Sequence, residues 1–183
     1  MRRGFKAEAE RTALSLRSDV GIGPDEPLDL RKLGEHLNVM IRPADELVAL
    51  DKIKRLEAIQ PGAFSACTFT LPTGSVVVYN PLNSLGRRNS DIGHELAHLI
   101  LKHPVRSVER LGALTFTTCD PEEEQEANWL AGALLLPRDL LAKAVRRGAT
   151  AEQLTESHSV SLQMANFRLR ATGVLIQANA RKR

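Results

Sequence analysis

Chemistry is most legible at His94-Glu95-Leu96-Ala97-His98. Residues four apart on a helix lie about 40° apart around its axis and one turn along it, so two imidazoles at this spacing can reach one ion. Zinc accepts imidazole nitrogen at about 2.0–2.1 Å and lowers the pKa of a bound water toward ~7. Glu95, beside both rings, can take a proton from that water and relay it to the leaving amine of a peptide. The H-E-x-x-H spacing therefore predicts metal-assisted peptide hydrolysis, with zinc as the expected cofactor and manganese (Mn2+) as the alternative ion. Ile92, Leu96, Leu99 and Ile100 supply a separate apolar face for the same helix. The competing reading is two solvent-facing histidines on an amphipathic helix.

A catalytic zinc usually takes three protein ligands and keeps one position for water. An extension of the motif along the same helix would require a glycine and a histidine where Leu101 and Pro104 stand. His103 falls on about the opposite side of that helix from His94, which suits a charge partner at the helix end better than a ligand. The acidic run Glu122-Glu123-Glu124-Gln125-Glu126 opens a later helix whose apolar stripe is Ala127, Leu130, Ala131, Leu134 and Leu135. Glu122 and Glu126 lie well off the stripe; Glu123 and Glu124 border it. Glu123 can complete a capping box with Asp120, which leaves Glu124 as the expected third ligand and Asn128, four residues on, as a possible partner behind it.

Other residues carry two readings each. Tyr79 ends a strand shortly before the zinc-binding helix and could donate to an oxyanion, but a core or rim tyrosine is the favoured reading. Residues 75–79 are the candidate edge strand for receiving an extended peptide. Cys119 could reach the metal or simply be a small buried residue. Trp129 falls opposite the apolar stripe, where it would be exposed to a partner. Residues 150–172 have the outline of a helix-turn-helix, with Arg168 and Arg170 available to phosphate. A helical hairpin that completes the core is favoured over that reading.

These side chains need elements to hold them. Apolar spacing predicts helices over 5–20, 29–37, 86–103 and 121–136, with shorter ones near 138–147, 151–158 and 161–172. Val39-Met40-Ile41 reads as a short strand, and 43–60 as an ambiguous, partly helical connection. Phe64–Thr70 and Ser75–Tyr79 flank Pro72-Thr73-Gly74 and read as a hairpin. A loop of some fifteen residues is expected after Pro104. Helices, a small sheet, then helices again predict an α+β domain, mostly helical, with an antiparallel or mixed sheet. The 183 residues suffice for one full core, and aromatics at 4% leave that core to Leu, Val, Ile and Ala. Two cysteines make no disulfide framework, and neither a signal peptide nor a membrane span is visible, so a cytoplasmic protein without membrane contact is expected. A net charge of +3, much of it in Arg146-Arg147 and Arg181-Lys182-Arg183, is too weak a field to argue for nucleic-acid binding, which stays open.

Several segments together resemble the ImmA/IrrE family of metallo-endopeptidases. They are Gly4-Phe5-Lys6-Ala7-Glu8-Ala9-Glu10, Leu28-Asp29-Leu30 through Val39, Phe64-Ser65-Ala66-Cys67-Thr68, Val78-Tyr79-Asn80-Pro81, the helix carrying His94 to His98, and Glu124-Gln125-Glu126-Ala127-Asn128-Trp129-Leu130-Ala131 followed by Leu134-Leu135-Leu136-Pro137. The resemblance implies a zincin-like, gluzincin-type fold with a C-terminal helical hairpin, and Glu124 completing the site. The family often has Phe where Leu130 stands and Met where Leu136 stands. The expected domains are 1–148 for the peptidase, 149–175 for the packed helix-turn-helix-like pair, and 176–183 for a disordered basic tail. The implied substrate is a protein, a helix-turn-helix (XRE-type) transcriptional repressor on a separate chain, cleaved in a stress response or in mobile-element regulation. The alternative function is a metal-stabilised regulator that binds a repressor or DNA without cutting it.

Overall fold

The computed structural model describes residues 1–72, 74–104, 108–111, 114–117 and 120–180. Helix α1 (Phe5–Asp19) buries Phe5, Ala9, Ala13 and Arg17, a strict four-residue stripe whose small members let another helix approach closely. Helix α2 (Leu30–His36) starts at Asp29, whose side chain accepts the Arg31 and Lys32 N–H groups. Strand β1 (Val39–Pro43) follows, then a single 3-10 turn (Ala44–Glu46) and helix α3 (Leu50–Ile59). The ambiguous connection is thus largely helical, although only Ile53 of α3 is buried.

Strands β2 (Ala66–Leu71) and β3 (Gly74–Tyr79) form the expected hairpin, and β3 also pairs in parallel with β1. The sheet is therefore mixed, in the order β1-β3-β2. The β3 segment is the central strand with both edges paired, so the expectation that 75–79 offers a free edge is wrong. The edge strand of the hairpin is β2. Side chains alternate across the sheet as a strand requires. Val77 and Tyr79 join the main core, while Val76 and Val78 join Ile53 and Ala44 in a small second cluster under α3.

Helix α4 (Leu85–Leu101) is capped by Ser84, which accepts the Arg87 N–H. Strands β4 (Val108–Leu111) and β5 (Leu114–Thr117) then form an antiparallel pair where a loop was expected. The β-forming residues of Leu114-Thr115-Phe116-Thr117 carry that signal. Cys119 lies outside the described residues. Helix α5 (Pro121–Leu135) begins at Asp120, whose carboxylate accepts the Glu122 N–H at 2.8 Å. Helices α6 (Arg138–Arg146), α7 (Ala151–His158), α8 (Leu162–Ala171) and α9 (Val174–Ala180) complete the chain. Helix α9 occupies residues expected to begin a disordered tail.

The result is a mostly helical α+β protein. Its main core gathers α1, α4, α5 and the C-terminal helices around Leu96, Leu130, Leu134 and Leu141. No helix among the described residues is long and apolar enough to cross a membrane.

Helix α5 is buried nearly all round, with Ala127, Trp129, Leu130, Ala131, Gly132, Ala133, Leu134 and Leu135 inside. The single-stripe reading fails here because α1 and α8 cover what would otherwise be a solvent face. Trp129 is consequently buried, with Lys6 Nζ 4.3 Å from its ring centroid and Phe167 edge-on at 6.0 Å.

The helix pair α7–α8 is also fixed inward. The Asn89 side chain donates to Ser159 C=O at 2.9 Å, and the Ser161 N–H donates to Ser90 Oγ at 2.9 Å. Arg168 is fully buried, paired with Glu10 at 2.6 Å and donating to Leu136 C=O. It is unavailable to phosphate, contrary to the helix-turn-helix reading of that residue.

Candidate metal centre and its cleft

Helices α4 and α5 pack directly on one another, and Gly93 sets how closely. A Cβ there would lie 3.2 Å from Leu135 Cδ1, so the position beside His94 is kept bare where α5 crosses. Ile92, Leu96 and Ala97 point into the core, which leaves His94, Glu95 and His98 on the flank of α4 that faces the acidic start of α5.

There the three expected side chains converge. His94 Nε2 and His98 Nε2 are 3.1 Å apart. One Glu124 oxygen lies 3.3 Å from His94 Nε2 and the other 3.4 Å from His98 Nε2. The two rings stand nearly perpendicular, at 77°. Donor atoms at the corners of a tetrahedron with bonds of about 2.05 Å are separated by about 3.3 Å, so this spacing fits a zinc-sized ion. The three side chains are 14–28% exposed, packed on one side and reachable on the other. Two imidazoles and a carboxylate form a donor set compatible with a metal ion.

The cluster opens on a cleft of about 630 Å³, lined by residues from β2, α4, α5 and α8. Glu95 lines it, and its Oε2 accepts a 2.6 Å hydrogen bond from the Thr68 hydroxyl. Thr68 was not singled out from the sequence. The available signal was strand alternation, which puts Ala66 and Thr68 of β2 on one face once that face is known to be the one toward α4. Asp91, one turn before His94, is a second omission. Burial raises its carboxyl above the usual range, while Arg87 pulls it back through a 2.9 Å ion pair. Arg87 also reaches Ser65 and Gln163, tying α4 to the start of the hairpin and to α8.

Asn128 is exposed in the cleft wall. Tyr79 is not brought to the cluster. It is buried beside a smaller cavity between α2, β1 and α4, with the Arg88 guanidinium 5.9 Å from its ring. That is the core reading, not the oxyanion one. Cys67 is half-buried on the other face of β2. Burial, and then the charge of Glu95, push its thiol up to about 11, so it is a poor nucleophile.

His103 departs from expectation. Its ring lies against His98, with the two Nδ1 atoms 2.9 Å apart, because the helix ends before a straight continuation would carry it round.

The sequence model of a peptidase family, described as the IrrE N-terminal-like domain, matches residues 56–170, well over half of the chain. The match spans the β2–β3 hairpin, both helices of the His94–His98–Glu124 cluster and most of the C-terminal pair. No curated protein and no solved structure gives a significant match.

Proposed function

Since the chain belongs to the IrrE N-terminal-like family of peptidases, we propose that it is a zinc-dependent endopeptidase that cuts a protein substrate in the cytoplasm. The observation that carries this reading is the near-equal spacing of 3.1, 3.3 and 3.4 Å among His94, His98 and Glu124 at the floor of an open cleft.

His94 and His98 would hold the ion through Nε2, and Glu124 through its carboxylate. Two imidazoles with one carboxylate suit zinc better than manganese, which favours oxygen donors. A bound zinc ion would supply Lewis-acid polarisation of the scissile carbonyl and acidify the attacking water. The protein's own contribution falls to Glu95. It accepts the proton from the attacking water and delivers it to the departing amine. The Thr68 hydroxyl fixes the Glu95 carboxylate through one oxygen and leaves the other for the proton. Strand β2, the edge of the hairpin beside α4, is the backbone rail on which an extended peptide would add.

The proposed substrate is a helix-turn-helix repressor supplied as a separate chain. The competing reading, a regulator that grips DNA through α7–α8, is disfavoured by the burial of Arg168. The test is co-expression with a repressor encoded nearby and mass spectrometry of the fragments. Cleavage by the wild type and none by Glu95→Gln supports the reading. Equal cleavage by both refutes it.

A further inference from the structure

Behind His98, on the side away from the cleft, the chain makes an abrupt reversal. Lys102 adopts the left-handed conformation (φ 56) although it is not glycine. Its N–H bonds to Leu99 C=O, and the His103 N–H bonds to His98 C=O at 3.0 Å, the paired-bond stop of a helix. The reversal lays His103 on His98, with ring centroids 5.0 Å apart. On its far side, His103 Nε2 lies 3.8 Å from Glu126 Oε2. The other Glu126 oxygen accepts the Arg2 N–H at 3.1 Å. His103 and Glu126 are 9% and 13% exposed, far more buried than a solvated charge partner at a helix end would be.

We propose that His103 is a positioning residue, held by Glu126, that fixes the tautomer and ring plane of His98 for metal binding. The inference rests on the metal reading above. If His98 gives the Nε2 lone pair to an ion, its one proton stands on Nδ1, facing His103 Nδ1. His103 must then accept at Nδ1, so its own proton stands on Nε2, facing the Glu126 carboxylate. With an ion on His98 Nε2, this arrangement of protons suits every group in the row, and it turns the His98 lone pair toward His94 and Glu124. Metal-binding histidines regularly donate their second nitrogen to such a partner, and losing the partner weakens metal binding about 10- to 100-fold.

The test is zinc affinity, measured by competition with a chromophoric chelator on the full chain, together with the absorption spectrum of the cobalt-substituted protein. His103→Leu should bind zinc at least about tenfold more weakly and shift the cobalt bands. His103→Asn, whose Oδ1 accepts where Nδ1 did, should recover most of the affinity, and Glu126→Gln should fall between it and His103→Leu. If His103→Leu does not fold, Glu126→Gln decides: weakened binding supports the role and wild-type binding overturns it. Affinities for His103→Leu and Glu126→Gln within about twofold of wild type would refute the role of His103 alone. A wild-type protein that takes up no zinc would refute the metal reading itself.

Discussion

Helices α4 and α5 and the pair α7–α8, which meets the same cleft through α8, spend their polar residues in opposite ways. In the first pair the side chains that matter stand beside the apolar faces and converge on open space: His94, His98, Glu124 and Glu95. In the second pair the strongest polar group, Arg168, points inward to Glu10 and the Leu136 carbonyl, and the turn between the helices is stitched to α4 through Asn89 and Ser90. Under the proposed function the first pair serves the reaction, and the second holds a wall, to which it contributes Met164 and Phe167. A cationic residue at a helix-turn-helix position thus reveals its role only once its burial is known.

Substitutions on the two sides should therefore fail in different ways. The largest effect is expected from Glu95→Gln, which should lower turnover by about 10²–10⁴ while zinc content and thermal stability stay near wild type. Lost zinc in that variant, or full turnover, would erase the distinction. Arg168→Met should do the reverse. Leaving Glu10 without its buried partner should cost about 3–5 kcal/mol of stability, read as a lowered urea midpoint, while protein that remains folded still takes up zinc. An unchanged midpoint would mean that α8 is not anchored by this pair.

Phe167→Ala strips an apolar side chain from the wall and should raise KM by roughly tenfold with little change in kcat, the pattern of lost uniform binding. A selective fall in kcat would move Phe167 into the reacting machinery. The smallest effect concerns pH. Burial, partly offset by the Asp25 carbonyl, lowers the pKa of His158 at the end of α7. The unfolded chain then binds the proton more readily than the folded one, so stability falls as pH drops through about 6.5 toward the lowered value. His158→Gln should flatten that part of the stability profile, and identical slopes would remove His158 from the account.

The convergence of His94, His98 and Glu124 is legible because it depends on helix periodicity, which needs no knowledge of tertiary neighbours. H-E-x-x-H gives its own geometry, and the Asp120-Pro121 start of α5 fixes where Glu124 falls. Other features depended on contacts that spacing does not encode. The exposure expected of Trp129 fails because α1 and α8 both pack on α5, which its own apolar spacing does not encode. The free edge was placed at β3 because its parallel pairing with β1 joins segments more than thirty residues apart. His103 seemed to point away because straight helical geometry was extended past Lys102, a non-glycine residue that nonetheless turns left-handed. Thr68 required knowing which face of β2 meets α4. Each omission is a tertiary contact overriding a local rule that was sound in isolation.

X-ray absorption at the zinc edge of the zinc-loaded protein reads the identity of the metal's donors. A site built from His94, His98 and Glu124 should show two imidazole nitrogens and carboxylate or water oxygens at about 2.0–2.2 Å, with no sulfur near 2.3 Å. A sulfur contribution, or a spectrum without imidazole scattering, would contradict it.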